Sequence, residues 1–172
     1  AKDPVPEVLA ARENFADFCR LLGKPPAKHM IEWHNEFLTG DDSEVLMDVA
    51  GPNTSILAPR GSAKSTVLGM LAAWLIGRHA QAGKMLRILY LAYMTDISRA
   101  KSATIKALVG SSKFRQVFPK VRLSKIKRSD EYWSIDYEYA GIDTSGEEAF
   151  TIACGGLKGC LLYTSDAADD VE

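Results

Sequence analysis

The chain has 172 residues, 47% of them hydrophobic and 25% charged, with a formal charge of −1; this excludes a disordered polypeptide and suits one α/β domain with a buried core. No apolar run reaches the roughly 18–20 residues of a membrane helix, and the N-terminus lacks the basic-then-apolar order of a secretory signal, so a cytoplasmic protein with no membrane partner is expected. Cys19, Cys154 and Cys160 are odd in number and form no C-x-x-C pair, which points to free thiols rather than a disulfide framework or a zinc site.

From the N-terminus, Val8, Phe15, Phe18, Cys19 and Leu22 recur at helical spacing and predict one helix over residues 7–22, broken by Gly23 and Pro25-Pro26. Met30, Trp33, His34, Phe37 and Leu38 fall on one face of a second helix, which Gly40-Asp41-Asp42 ends. Residues 54–57 read as a short buried strand. After it, Val67, Met70, Leu71, Trp74 and Leu75 form the apolar stripe of a helix expected to stop at Gly77. Residues 86–93 are almost continuously apolar and predict a central parallel strand covered on both faces. Thr95 or Asp96 can cap the next helix, whose Ile97, Ala100, Ile105 and Leu108 point inward before Gly110. Strand, loop, helix, strand, helix is a doubly wound order. Farther on, Trp133, Ile135, Tyr137 and Tyr139 alternate with polar residues, as do Phe150, Ile152 and Cys154, and the turn residues 141–146 between them predict a β-hairpin.

Between the expected strand and helix lies Ala58-Pro59-Arg60-Gly61-Ser62-Ala63-Lys64-Ser65-Thr66. A phosphate-binding loop needs successive backbone N–H groups curled around the anion, a lysine for the outer phosphates and a hydroxyl for Mg²⁺. The stretch keeps that spacing but has alanine at both positions where the consensus has glycine. Ala63 must therefore adopt a permissible angle or shift the loop, or Gly61 takes the strained position instead. Lys64 and Ser65 are the candidate phosphate and Mg²⁺ residues, with Pro59, Gly61, Ser62, Ala63 and Thr66 completing the cradle. The plainer alternative is an ordinary strand-to-helix turn with an exposed lysine. Arg60 could contact the γ-phosphate or pair with a surface carboxylate.

Lys113, Arg115, Lys120, Arg122, Lys125, Lys127 and Arg128 place seven cations in sixteen residues with no acid among them. Contact with DNA phosphates and a solvated face are both open readings. His29 and His79 have no identified partner, Lys158 sits in a glycine-rich turn, and Trp74 reads as core.

With these residues in view, the chain resembles the ATPase domain of bacteriophage large terminases over roughly residues 29–159. The variant loop with an arginine and a lysine, the stretch Ile88-Leu89-Tyr90-Leu91-Ala92-Tyr93 and the glycine-rich Ala153-Cys154-Gly155-Gly156-Leu157-Lys158-Gly159 carry that resemblance. It implies an α/β three-layer P-loop NTPase (RecA/ASCE-like) with a mostly parallel sheet and a β-hairpin, truncated before the Walker B strand. It also implies ATP and Mg²⁺ as cofactors, Lys64 and Arg60 as catalytic residues, and Trp33 and His34 on the adenine side, although an aromatic on a helix face is more often core. Double-stranded DNA, a portal protein, a small terminase subunit and a homo-oligomeric ring are the implied partners. Residues 1–40 would be an N-terminal helical segment serving as an adenine-side lid, and residues 41–159 the incomplete ATPase core.

Residues 160–172 stand apart, because Cys160-Leu161-Leu162-Tyr163-Thr164-Ser165-Asp166-Ala167-Ala168-Asp169-Asp170 closely resembles the translation of a transposase adapter used in DNA library preparation. Without Asp166, Asp169, Asp170 and Glu172 the formal charge becomes +3. No apolar strand ending in paired carboxylates follows Gly159, so nucleotide binding without efficient turnover is expected of this polypeptide. A helicase-like NTPase and a non-catalytic nucleic-acid-binding module are the alternatives.

Overall fold

The computed structural model describes residues 5–37, 55–144 and 148–157. Lys158 and the adapter-like residues lie outside them, as do Thr54 and Cys160. The chain begins with α1 (Pro6–Glu13) and α2 (Phe15–Leu21) in place of the single helix expected over 7–22. Asn14 makes the division: its backbone is extended, and its Oδ1 accepts from the Ala16 and Asp17 amides at 2.9 and 3.1 Å, a side-chain cap that starts a new helix. Then come α3 (Lys28–Phe37), α4 (Lys64–Gln81), β1 (Ile88–Ala92), α5 (Thr95–Val109) and α6 (Ser112–Val117). The C-terminal part holds β2 (Leu123–Arg128), β3 (Tyr132–Ile135), α7 (Tyr137–Ala140) and β4 (Ile152–Gly156).

The sheet order is β1-β4-β3-β2, and this corrects the expected three-layer P-loop NTPase fold with a mostly parallel sheet. Only β1 and β4 run parallel; β3 is antiparallel to both β4 and β2. The connections explain the difference. A parallel pair needs a crossover of a dozen or more residues, which the chain from α5 to α7 supplies between β1 and β4. The turn over residues 129–131 is far too short for one, so β2 and β3 must be antiparallel. The doubly wound expectation also counted a strand over 54–57. Residues 55–57 are not in a strand, and Leu57 is 96% exposed, because no neighbouring strand among the described residues pairs with them.

Similarly, β1 is an edge strand rather than a central one. Its burial alternates, Leu89 and Leu91 being exposed and Ile88, Tyr90 and Ala92 half-buried. The alternation expected to continue as strand through Tyr139 ends at Asp136, whose Oδ1 accepts from the Tyr139 amide at 3.0 Å and caps the one-turn α7. The expected β3–β4 pairing is present, with Trp133 opposite Ile152.

Helix α5 packs on β1 and β4 and beside α4, while α1 and α2 lean on α4. Trp74 and Trp133 are fully buried, and each indole N–H has a partner: Nε1 of Trp74 donates to the Ala11 carbonyl at 3.2 Å and Nε1 of Trp133 to Ser102 Oγ at 2.9 Å. Phe18, Phe114 and Phe118 form an aromatic cluster under α4. Each such burial is worth roughly 1.5–3 kcal/mol. Arg78, also buried, pairs with Glu13 and lies 5.3 Å from the Trp74 ring. Cys19 is a buried free thiol whose burial pushes its pKa up to about 12. Among the described residues no helix is long and apolar enough to cross a membrane.

Candidate functional site

The segment from Ala58 to Lys64 turns back on itself just before α4. Two of its residues have left-handed backbones: Gly61 at φ +85° and Ala63 at φ +59°, ψ +22°. Among the described residues Ala63 alone has a positive φ without being glycine. So both alternatives weighed from the sequence hold at once: Gly61 takes a strained position, and Ala63 takes another despite its Cβ. That conformation costs an alanine roughly 1–2 kcal/mol, and such strain persists where the surroundings or a function require it.

Lys64 is the first residue of α4, and its side chain folds back over the turn. Its Nζ donates to the Pro59 carbonyl at 2.8 Å, to the Ala58 carbonyl, and to Ser62 Oγ at 3.3 Å. Ser62 Oγ in turn donates to the Pro59 carbonyl at 2.8 Å. An ammonium is thereby held over the turn by neutral oxygens. Ala63, the N-cap, offers no side chain to the helix amides, and the first turn of α4 contains no acid. The positive end of this 18-residue helix therefore has no carboxylate of its own first turn to neutralise it. Apart from Lys64 itself, its basic residues, Arg78 and His79, sit in the last turn.

Ser65 and Thr66 are exposed and border a cavity of about 340 Å³ between α4, α5 and β1. Gly69 and Tyr90 line it as well, and Lys24 and Lys101 bring two cations to it; Lys64 is not among its lining residues. Burial raises the Tyr90 phenol pKa, so it is a neutral donor here. A hydroxyl such as Ser65 Oγ is the kind of hard oxygen ligand that Mg²⁺ takes beside phosphate and water. Arg60 and Pro59 lie exposed at the tip of the turn.

The α3 side of the turn is held by His29, whose Nε2 lies 3.3 Å from the Ser62 carbonyl. Trp33 is half-buried with its ring 4.9 Å from that of His29, one side chain away from the turn. His34 is placed differently. It stacks on Phe15 at 4.7 Å and meets the edge of Trp74 at 5.6 Å, inside the core. Its Nδ1 is engaged by Asn35 Oδ1 at 3.1 Å, and its Nε2 is buried with no partner among the described residues. A base-edge contact would need one of those two nitrogens. The structure thus brings Pro59, Gly61, Ser62, Ala63, Lys64, Ser65, Thr66 and, through His29, Trp33 into one region, and leaves His34 apart.

The cationic segment, by contrast, is not one face. Lys113 and Arg115 sit on α6, Arg122 stacks 4.0 Å over the Tyr139 ring, and Lys125, Lys127 and Arg128 belong to β2. Sequence reading missed β2 because Ser124, Lys125, Lys127 and Arg128 leave it little apolar alternation. Among the described residues no group of three or more His, Cys, Asp or Glu is placed to hold a metal ion. No protein-family model, curated protein or solved structure matches the chain.

Proposed function

We propose that the turn over residues 58–65 binds the triphosphate of Mg-ATP, and that the chain is the nucleotide-binding part of an ATP-driven motor of the large-terminase kind. The observation carrying this reading is Lys64, whose ammonium is held over a turn with left-handed residues at Gly61 and Ala63. Successive N–H groups in such a turn make an anion-binding concavity, and the start of α4 adds its positive end. Lys64 would exchange its carbonyl partners for the outer phosphate oxygens, at little reorganisation. Ser65 Oγ would complete the Mg²⁺ shell. Arg60, exposed at the tip, would meet charge that develops on the γ-phosphate during transfer. Trp33 supplies an aromatic surface on the α3 side for the base. Hydrolysis further requires carboxylates for Mg²⁺ and for the attacking water, and none is assigned within these residues.

The larger reading follows the resemblance: double-stranded DNA as the translocated partner, a homo-oligomeric ring, a portal protein and a small terminase subunit as its neighbours, and the host cytoplasm as its place of work. The decisive experiment is thermal unfolding with and without Mg-ATP. A ligand that binds only the folded state at one hundred times its Kd adds about 2.7 kcal/mol, a clear rise in Tm. Lys64→Ala should abolish that rise. A wild-type Tm indifferent to Mg-ATP would return Lys64 to the task of closing a turn.

A further inference from the structure

The fold concentrates part of the cationic segment at the sheet edge formed by β2. Lys127 and Arg128 from β2 and Lys106 from α5 converge on a cavity of about 360 Å³, with Ser124 beside them and Trp133 and Ser134 at its back. No carboxylate lines it. The nearest acids are already engaged: Asp130 accepts from Lys106 Nζ at 2.9 Å, Glu131 pairs with Arg99, and Glu148 accepts from the Tyr132 hydroxyl at 2.6 Å. Asp130 offsets one of the three cations, and among the described residues neither Lys127 nor Arg128 makes a direct ion pair with a carboxylate.

These side chains are not loose surface cations. Lys106 also donates to the Arg128 carbonyl, fixing the end of β2 against α5, and its side chain is only 21% exposed. Lys127 Nζ donates to the Ala149 carbonyl at 2.7 Å and lies 5.2 Å from the Tyr132 ring. Ser124 Oγ accepts from the Ile126 amide at 3.2 Å, which leaves its proton for an acceptor in the cavity. Arg128 is exposed, and among the described residues its side chain bonds through Nε alone, to the Ser124 carbonyl at 3.4 Å. Its terminal nitrogens are left for the fork that matches two oxygens of a phosphate.

We propose that this cavity seats a backbone phosphate of double-stranded DNA, so that the β2–β3 hairpin is a sequence-independent grip on the duplex. The choice of duplex DNA rests on the motor reading above; the phosphate seat rests on the cavity. Arg128 and Ser124 would donate directly to the phosphate, with Lys127 and Lys106 supplying field from partly buried positions where salt screens less. The seat lies across the sheet from the phosphate turn, whose cavity includes Tyr90 of β1 at the opposite edge.

The test is fluorescence anisotropy of a labelled random-sequence duplex titrated with the full chain across a range of KCl. Arg128→Gln combined with Lys127→Gln should weaken binding about tenfold and flatten the salt slope by about two. The exposed Arg128→Gln alone should give about half of that change in slope, with circular dichroism unaltered, which guards against loss of fold in the double variant. The pair Lys113→Gln and Arg115→Gln on α6 should leave the isotherm near that of the parent. Equal loss in that pair, an unchanged isotherm in the β2 variants, or equally tight binding of heparin that the same variants weaken equally would overturn the proposal. Lys64→Ala, run alongside, should lose Mg-ATP stabilisation and keep duplex affinity. The two readings thus fail separately, one through the nucleotide arm and the other through the duplex arm.

Discussion

A Cβ built on Gly77 would stand 2.3 Å from Cδ2 of Phe118, well inside van der Waals contact. Glycine inside a helix costs about 1 kcal/mol relative to alanine, and for that reason Gly77 reads as a helix end. The helix instead continues to Gln81, and the missing side chain at Gly77 is what lets the Phe118 ring lie against α4. Gly77→Ala should therefore lower stability by about 1–3 kcal/mol despite its better helix propensity, seen as a lower urea midpoint. A midpoint raised by the substitution would mean that the ring does not press on this helix.

Ala63 makes the opposite case. Its left-handed backbone costs an alanine roughly 1–2 kcal/mol, whereas glycine there gives back about 0.4–1 kcal/mol through the greater freedom of the unfolded chain. Ala63→Gly should raise stability by about 0.5 kcal/mol and keep the Mg-ATP response. Ala63→Val should lower both. Chemical denaturation of the three proteins with and without nucleotide decides it, and a destabilised glycine variant would show that the turn does not hold its left-handed geometry in solution.

Helices were the legible part of this fold, because α3, α4 and α5 each carry an apolar stripe at helical spacing. The turn before α4 was legible as a turn, since Gly61 breaks the chain there and the helix follows at once at Lys64. Strand arrangement was not. Residues 86–93 are apolar whether the strand is central or at an edge, and only its pairing with β4 alone places it at the edge. Asn14 hid a helix break because the apolar spacing runs straight across it. His34 falls on the same apolar face as Met30 and Phe37, which is why it lies in the core; its proximity to Trp33 in sequence says nothing of a shared ligand.

His34 offers a separable test of that placement. Its Nε2 is a buried polar atom without a partner among the described residues, the kind of group whose desolvation costs about 1–3 kcal/mol. Phenylalanine has nearly the same outline and would keep the stack on Phe15. His34→Phe should raise Tm while leaving the Mg-ATP response unaltered. A drop in nucleotide affinity would instead place this ring at the base, and a drop in Tm would reveal a hydrogen bond that the buried nitrogen makes in solution.

His79 predicts a dependence on pH. Burial lowers its pKa below the usual 6.5, against the hydrogen bond to the Leu75 carbonyl at 2.9 Å, which favours the charged form; Lys84 and Arg78 nearby lower it further. Between the folded and unfolded values the unfolded chain binds more protons, so stability rises with pH there. The contribution is thus fully present above about 6.5 and is lost as the pH falls through that value toward the lower folded one. Urea midpoints measured from pH 7 down to pH 5, above the range where most carboxylates titrate, should fall for the parent chain. His79→Gln should flatten that slope, its amide still able to donate to the Leu75 carbonyl. An identical slope in the variant would assign the acid sensitivity to other groups and remove His79 from the account.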